Sequence, residues 1–234
     1  MTKAAIFGDV HLDAEECLKE DFYKAVESIG EEMDLIIFNG DFLDSYKERG
    51  IKALEEFLEW ADYMEWKERM VFLTGGMGHE GNLLFDRPDI VVLPYAKLVS
   101  EEGTIIVCHG HNIGLVKRKD ETWRVAATRL KEKLVRERNW NLPKIERADK
   151  LIISHTHAPF YDMESGVFAT GTWKVKGELK YNEEYIKRNV GVFILTNNED
   201  RNDPIKIIRW MEKKKEENGG RRGMCSEEVT TSFD

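Results

Sequence analysis

Three short apolar runs, Ala4 to Phe7, Leu35 to Phe38 and Val71 to Leu73, are separated by two charged stretches, and a glycine follows each run within two residues. Runs of this length suit buried strands, and the intervening stretches, Glu15 to Glu32 and Gly50 to Arg69, are long enough for helices. In the second stretch Ile51, Leu54, Leu58 and Ala61 recur at three- and four-residue spacing, which predicts one core-facing stripe. The β-α-β-α-β order implies a parallel sheet with crossover helices. Further strand candidates follow at Ile90 to Leu93, Thr104 to Cys108, Leu151 to Ile153, Val167 to Ala169, Gly191 to Thr196 and Ile205 to Trp210, with one more helix over Asp120 to Arg138. That strand-rich half implies a second sheet or an antiparallel extension, and hence an α/β layered sandwich.

A chain of 234 residues, 41% of them hydrophobic, can bury a sizeable core as one domain, here expected over residues 1–212. The tail 213–234 holds Lys-Lys-Lys, Gly-Gly-Arg-Arg-Gly and Ser/Thr/Glu runs and is expected to be disordered. No stretch approaches the roughly 20 apolar residues of a membrane span. The start, which reaches Asp9 within a few residues, does not read as a secretory signal, so a soluble cytoplasmic protein is expected. Cys17, Cys108 and Cys225 are too widely spaced for a Cys-x-x-Cys metal clip, and Cys108 reads as a small buried strand residue.

Chemistry is concentrated in the histidines. All six fall inside four motifs, Asp9-Val10-His11, Gly78-His79-Glu80, His109-Gly110-His111 and His155-Thr156-His157, with Gly40-Asp41-Phe42-Leu43-Asp44 between the first two. Imidazole with carboxylate suits manganese, iron, cobalt, nickel and zinc, whereas magnesium and calcium prefer oxygen alone. Residues i and i+2 of an extended segment point the same way, so each Asp-x-His or His-x-His pair delivers two groups to one place. Each motif follows a strand candidate, and in open α/β sheets the ligand crevice lies outside the carboxyl ends of the strands.

These motifs, in this order, resemble the pattern of the calcineurin-like metallophosphoesterases: Asp-x-His, Gly-Asp-x-x-Asp, Gly-Asn-His-Asp/Glu, a histidine often followed by glycine, and Gly-His-x-His. The resemblance spans Asp9 to His157, and Gly171-Thr172-Trp173 is similar to a strand after the last motif in some branches. It implies an α-β-β-α sandwich with two central mixed sheets, loops converging on a dinuclear metal site, and a short helical insertion between the late motifs. It further implies that one cation takes Asp9, His11 and His157, a second takes His109 and His155, and Asp41 bridges both. Manganese is the expected ion, with iron, cobalt, nickel or zinc compatible. Two cations about 3.5–4 Å apart can hold a shared hydroxide and clamp both oxygens of an in-line attack on phosphorus. His79 would stabilise charge on the phosphoryl group or protonate the leaving oxygen. Asp44 reads as a hydrogen-bond acceptor that orients a ligand rather than as a catalytic group. His111 is open between a role facing the substrate or a ligand and a structural one, and Glu80 reads as structural.

One position departs from the pattern. An asparagine ligand of the second cation should precede His79, and Gly78 stands there, so the second cation is expected to bind more weakly. Asn82, three residues on, reads as a turn residue. Ser154 replaces the usual glycine before His155, a small change.

The net charge of −9 argues against a protein that coats nucleic acid. Residues 117–150 nevertheless hold twelve Lys or Arg against six Asp or Glu. A basic helix there, with Arg118 and Arg124 among its charges, would face the site and gather phosphate groups, or would be a solvated face. Trp123 and Trp140 could stack on a substrate or pack in the core. The insertion is similar to that of the UDP-diacylglucosamine hydrolases, without a substrate motif to carry over. Trp60, Tyr63 and Trp66 suggest a homodimer contact or burial within the monomer. The expected function is metal-dependent hydrolysis of a phosphomonoester or small phosphodiester, with a nuclease of the same family and a catalytically weakened metal-binding scaffold as alternatives.

Overall fold

The computed structural model describes residues 3–75, 79–80, 82–100, 103–113, 115, 119, 122, 125–129, 149–175, 184, 189–197, 205–211 and 225–228. Its first part runs β1 (Lys3–Gly8), α1 (Lys19–Gly30), β2 (Leu35–Asn39), α2 (Glu48–Tyr63), a 3-10 turn (Lys67–Arg69), β3 (Met70–Leu73) and β4 (Val91–Leu93). Then come β5 (Ala96–Ser100), β6 (Gly103–Cys108), a 3-10 turn (Gly110–Ile113), β7 (Lys150–Ile153), β8 (Phe160–Asp162), β9 (Val167–Ala169), β10 (Val192–Asn197), β11 (Ile205–Met211) and β12 (Cys225–Glu228).

Two mixed sheets result. The first has the order β12-β11-β10-β1-β2-β3-β4 and the second β5-β6-β7-β9-β8. Strands β1 to β4 are parallel neighbours, with α1 and α2 crossing over between β1, β2 and β3, while β10 to β12 extend that sheet antiparallel. In the second sheet β6, β7 and β9 are parallel and both edge strands antiparallel. Both alternatives left by the sequence, a second sheet and an antiparallel extension, therefore occur.

Strand alternation builds the layers. On β1, Ala4 and Ile6 join Ile105 and Val107 of β6 and Ile152 of β7 in a core between the sheets. Their neighbours Ala5 and Phe7 face the other way and meet Phe22 of α1 and Phe57 of α2. On the far side Ile106, Cys108, Leu151 and Ile153 pack against Leu115, Ala126 and Ala127, the last two within helical backbone at 125–129. The strands read as unbroken apolar runs because both faces are buried. Cys108 is such a strand residue, its thiol pushed up to about 12 by burial.

The helices depart from expectation in detail. Helix α1 begins at Lys19, not Glu15, because the preceding segment is held in turns: Ala14 N–H donates to His11 O, and Leu18 N–H to Trp173 O. On α2, Ile51 is 40% exposed and Phe57, absent from the expected stripe, is fully buried. Trp66 is buried and Trp60 packs between Tyr23 and Trp66, which leaves Tyr63, 85% exposed, as the one open aromatic of the three. In the tail expected to be disordered, Cys225–Glu228 forms β12 on the edge of β11; the rest of 213–234 lies outside the described residues. No helix among the described residues is long and apolar enough to cross a membrane.

Candidate metal centre

The chain leaves β1, β2 and β7 through sharp turns. Asp9, His11, Asp41, His155 and His157 all have positive φ, between 43° and 75°. Side chains other than glycine adopt this left-handed backbone at a cost, and such residues gather where function fixes side-chain direction. Main-chain bonds hold the turns together. His11 N–H donates to Asp41 O (3.0 Å), and Trp173 N–H (3.1 Å) and the Thr172 hydroxyl (2.9 Å) donate to Asp9 O. The ends of the two sheets are stitched by Asn39, whose side-chain NH2 donates to Cys108 O (3.2 Å) and whose backbone carbonyl accepts from the Ser154 hydroxyl. Gly40 has φ 71°, and a Cβ there would lie 2.4 Å from the His109 ring, so glycine is required on both counts.

Among the described residues three constellations of donor atoms form: one, His11 with Asp44 and His79, lies toward the mouth, and the other two lie between these turns. Asp9, His11, Asp41 and His157 offer atoms within 4.8 Å of one another, and so do Asp41, His109 and His155, with Asp41 common to both. His11 Nε2 and His157 Nε2 point at each other across 3.3 Å. His109 Nε2 sits 3.3 Å from Asp9 Oδ1 and 3.5 Å from Asp41 Oδ2. Two converging imidazole nitrogens beside two buried carboxylates form a donor set that a borderline divalent cation satisfies well. His155 adds its backbone N–H, which donates to Asp9 Oδ2 (2.7 Å). The residues present therefore fit a cation in each of the two constellations that share Asp41.

The electrostatics carry the same message. Burial works against charge on His109, yet the carboxylates of Asp41 and Asp9 outweigh it and push the ring up to about 10. The Nε2 of His109 thus faces the negative charge of two buried carboxylates. His155 is pulled down, by burial first and then by the charge on His109.

A second ring of residues contacts the first. Asp44 lies 3.1 Å from His11 Nδ1, 3.8 Å from His79 Nδ1 and 2.7 Å from Lys174 Nζ, with Arg49 Nη2 at 3.3 Å from its other oxygen. The His11 bond first, and Lys174 next among the stabilising contacts, hold its carboxyl well below the usual range. Asp44 therefore contacts two of the histidines. Arg49 also bridges to Asp13 (2.9 Å), whose other oxygen accepts from Asp44 N–H. Neither Lys174, Arg49 nor Asp13 carries a motif, and only the Gly171-Thr172-Trp173 run beside Lys174 hinted at it.

His79 is 37% exposed at the mouth, its Nε2 3.5 Å from Asp41 Oδ2 and its ring 5.1 Å from that of His11. The neighbouring Glu80 is buried and accepts from Gly75 N–H (3.0 Å) and Leu43 N–H (3.4 Å), tying the loop after β3 to the loop after β2. His111 is exposed, its ring 6.3 Å from that of His109 and 5.7 Å from that of His155. Gly78, Arg118, Trp123, Arg124 and Trp140 lie outside the described residues.

The fold is similar to that of Vps29 from Entamoeba histolytica. A zinc complex of that protein is 12% identical over 97% of this chain and 98% of that one, with a TM-score of 0.51. A single mutant of it is 11% identical over 98% and 99%, with a TM-score of 0.53. Yfce, a phosphoesterase from E. coli, is 15% identical over 84% of this chain and 88% of that one, with a TM-score of 0.48. At such identities the likeness is one of fold. No curated protein matches the sequence. The model of the calcineurin-like phosphoesterases matches residues 2–192, most of the chain, which therefore belongs to that family.

Proposed function

We propose that the protein is a metal-dependent phosphohydrolase that cleaves a phosphomonoester or small phosphodiester. The observation that carries this reading is the pair of donor constellations sharing the Asp41 carboxylate. Asp9, His11 and His157 would hold one divalent cation, His109 and His155 a second, and Asp41 both, with manganese the first choice and iron, cobalt, nickel or zinc alternatives. Cations so held supply Lewis acidity toward the phosphoryl group and lower the pKa of water. Asp41 brings both constellations into register, and His155 N–H keeps the Asp9 carboxylate aimed inward. His79, beside Asp41 and partly open to solvent, would donate a hydrogen bond to a phosphoryl oxygen or a proton to the leaving oxygen. Asp44, anchored by Lys174 and Arg49, fixes the His11 ring from behind and reaches toward His79. A glycine at position 78 offers the second cation no side chain, so that ion should bind more weakly than the first.

The test is hydrolysis of bis-p-nitrophenyl phosphate and p-nitrophenyl phosphate by chelated protein after re-addition of Mn, Co, Ni, Zn or Mg. Metal-dependent turnover of either ester is expected. Its absence in folded protein would leave a metal-binding scaffold, and cleavage of single-stranded DNA at comparable efficiency would make the protein a nuclease.

A further inference from the structure

The two constellations are unequal. The one around His11 gathers four donor residues, the one around His109 only three. Beside the poorer one stands an imidazole with no role so far, His111, on the 3-10 turn Gly110–Ile113 that leaves β6.

We propose that His111 is the fourth protein ligand of the second cation, joining Asp41, His109 and His155; the inference rests on the dinuclear reading above. The ring centres of His109, His155 and His111 are 4.9, 5.7 and 6.3 Å apart. Three points with those separations lie on a circle of radius about 3.3 Å, and an imidazole bound through nitrogen at about 2.1 Å sets its ring centre about 3.2 Å from the ion. All three rings are thus at coordination distance from one common point. His109 and His155 already aim nitrogens at the group shared with Asp41. His111 is solvent-exposed, so its ring can turn to present a nitrogen without displacing a packed neighbour. Its backbone is not free to drift: Leu115, buried against the outer face of the second sheet, donates its N–H to Gly110 O at 2.8 Å and closes the turn. A ligand that must be ordered on binding gives a second ion weaker than the first, whose donors are already set.

Calorimetric titration of the chelated full chain with Co(II), with metal content checked by mass spectrometry, tests the assignment. The native chain should take up two ions with separable affinities. His111→Ala should leave the tighter ion unchanged and weaken the other by about 100-fold, at or beyond the upper end of the loss caused by removing a residue that merely orients a ligand. His111→Phe keeps a flat ring without a nitrogen and should behave like alanine. Two ions with native affinities in either variant would overturn the assignment and leave the dinuclear reading intact. A native chain that takes up one ion would overturn both.

Discussion

Glu80 offers a test of the electrostatics that needs no substrate. Its carboxylate is buried, and burial first, then the Asp41 charge, push it up from 4.5 to about 7. A folded pKa above the unfolded one means that the folded chain binds the proton more tightly. The resulting stabilisation is complete below 4.5 and is lost as pH rises through about 7. Between those limits the shift corresponds to about 3 kcal/mol, a sizeable part of the stability of a single domain. The perturbation is Glu80→Gln in chelated protein, and the assay is urea unfolding from pH 4.5 to 8.5. The native chain should lose about 3 kcal/mol more than the variant across that window. The variant also puts an amide NH2 where one oxygen accepted a backbone N–H, a cost independent of pH, so the slope and not the absolute stability is the readout. Divalent cations neutralise Asp41, one of the two causes of the shift, and should flatten the native slope. Equal slopes for the two metal-free proteins would refute the reasoning.

Asp41→Ala should abolish uptake of both cations, since its carboxylate belongs to both constellations; calorimetry reads this directly. His79→Asn should leave metal content unchanged and lower kcat by about 100- to 10,000-fold in the ester assay, because its ring stands beside the ligand set. Asp44→Asn should weaken metal binding by about 10- to 100-fold through the loosened His11 ring, with overall secondary structure unchanged by circular dichroism. Gly78→Asn should tighten the second cation, and unchanged metal stoichiometry and diesterase rate would remove the missing amide as its weakness.

Periodicity exposed the strands that are buried on both faces, since β1, β2 and β3 are unbroken apolar runs. It did not expose β5 or β8. Ala96–Ser100 mixes Lys97 and Ser100 into an edge strand, and Phe160–Asp162 is too short to carry a pattern. Ile51 joined the expected stripe through spacing alone, although the buried face of α2 runs through Gly50, Ala53, Leu54, Phe57, Leu58 and Ala61 and leaves Ile51 to one side. Motif order made the meeting of Asp9, His11, Asp41, His109, His155 and His157 legible, because strand ends in a layered sheet converge. Lys174 was not legible, since its contact with Asp44 spans 130 positions and depends on the path after β9. Glu80 was read as structural from its place, but its bond to Gly75 follows from loop geometry that no spacing encodes.

The left-handed residues around the centre have one more consequence. Each costs about 1–3 kcal/mol and persists only because its surroundings leave no alternative. Bonds between them tie the three turns to one another, His11 N–H to Asp41 O and His155 N–H to the Asp9 carboxylate. Relaxing one turn therefore moves donor atoms on its neighbour as well as its own. A substitution that changes only backbone freedom, with every imidazole and carboxylate kept, is thus enough to alter the spacing between the two constellations.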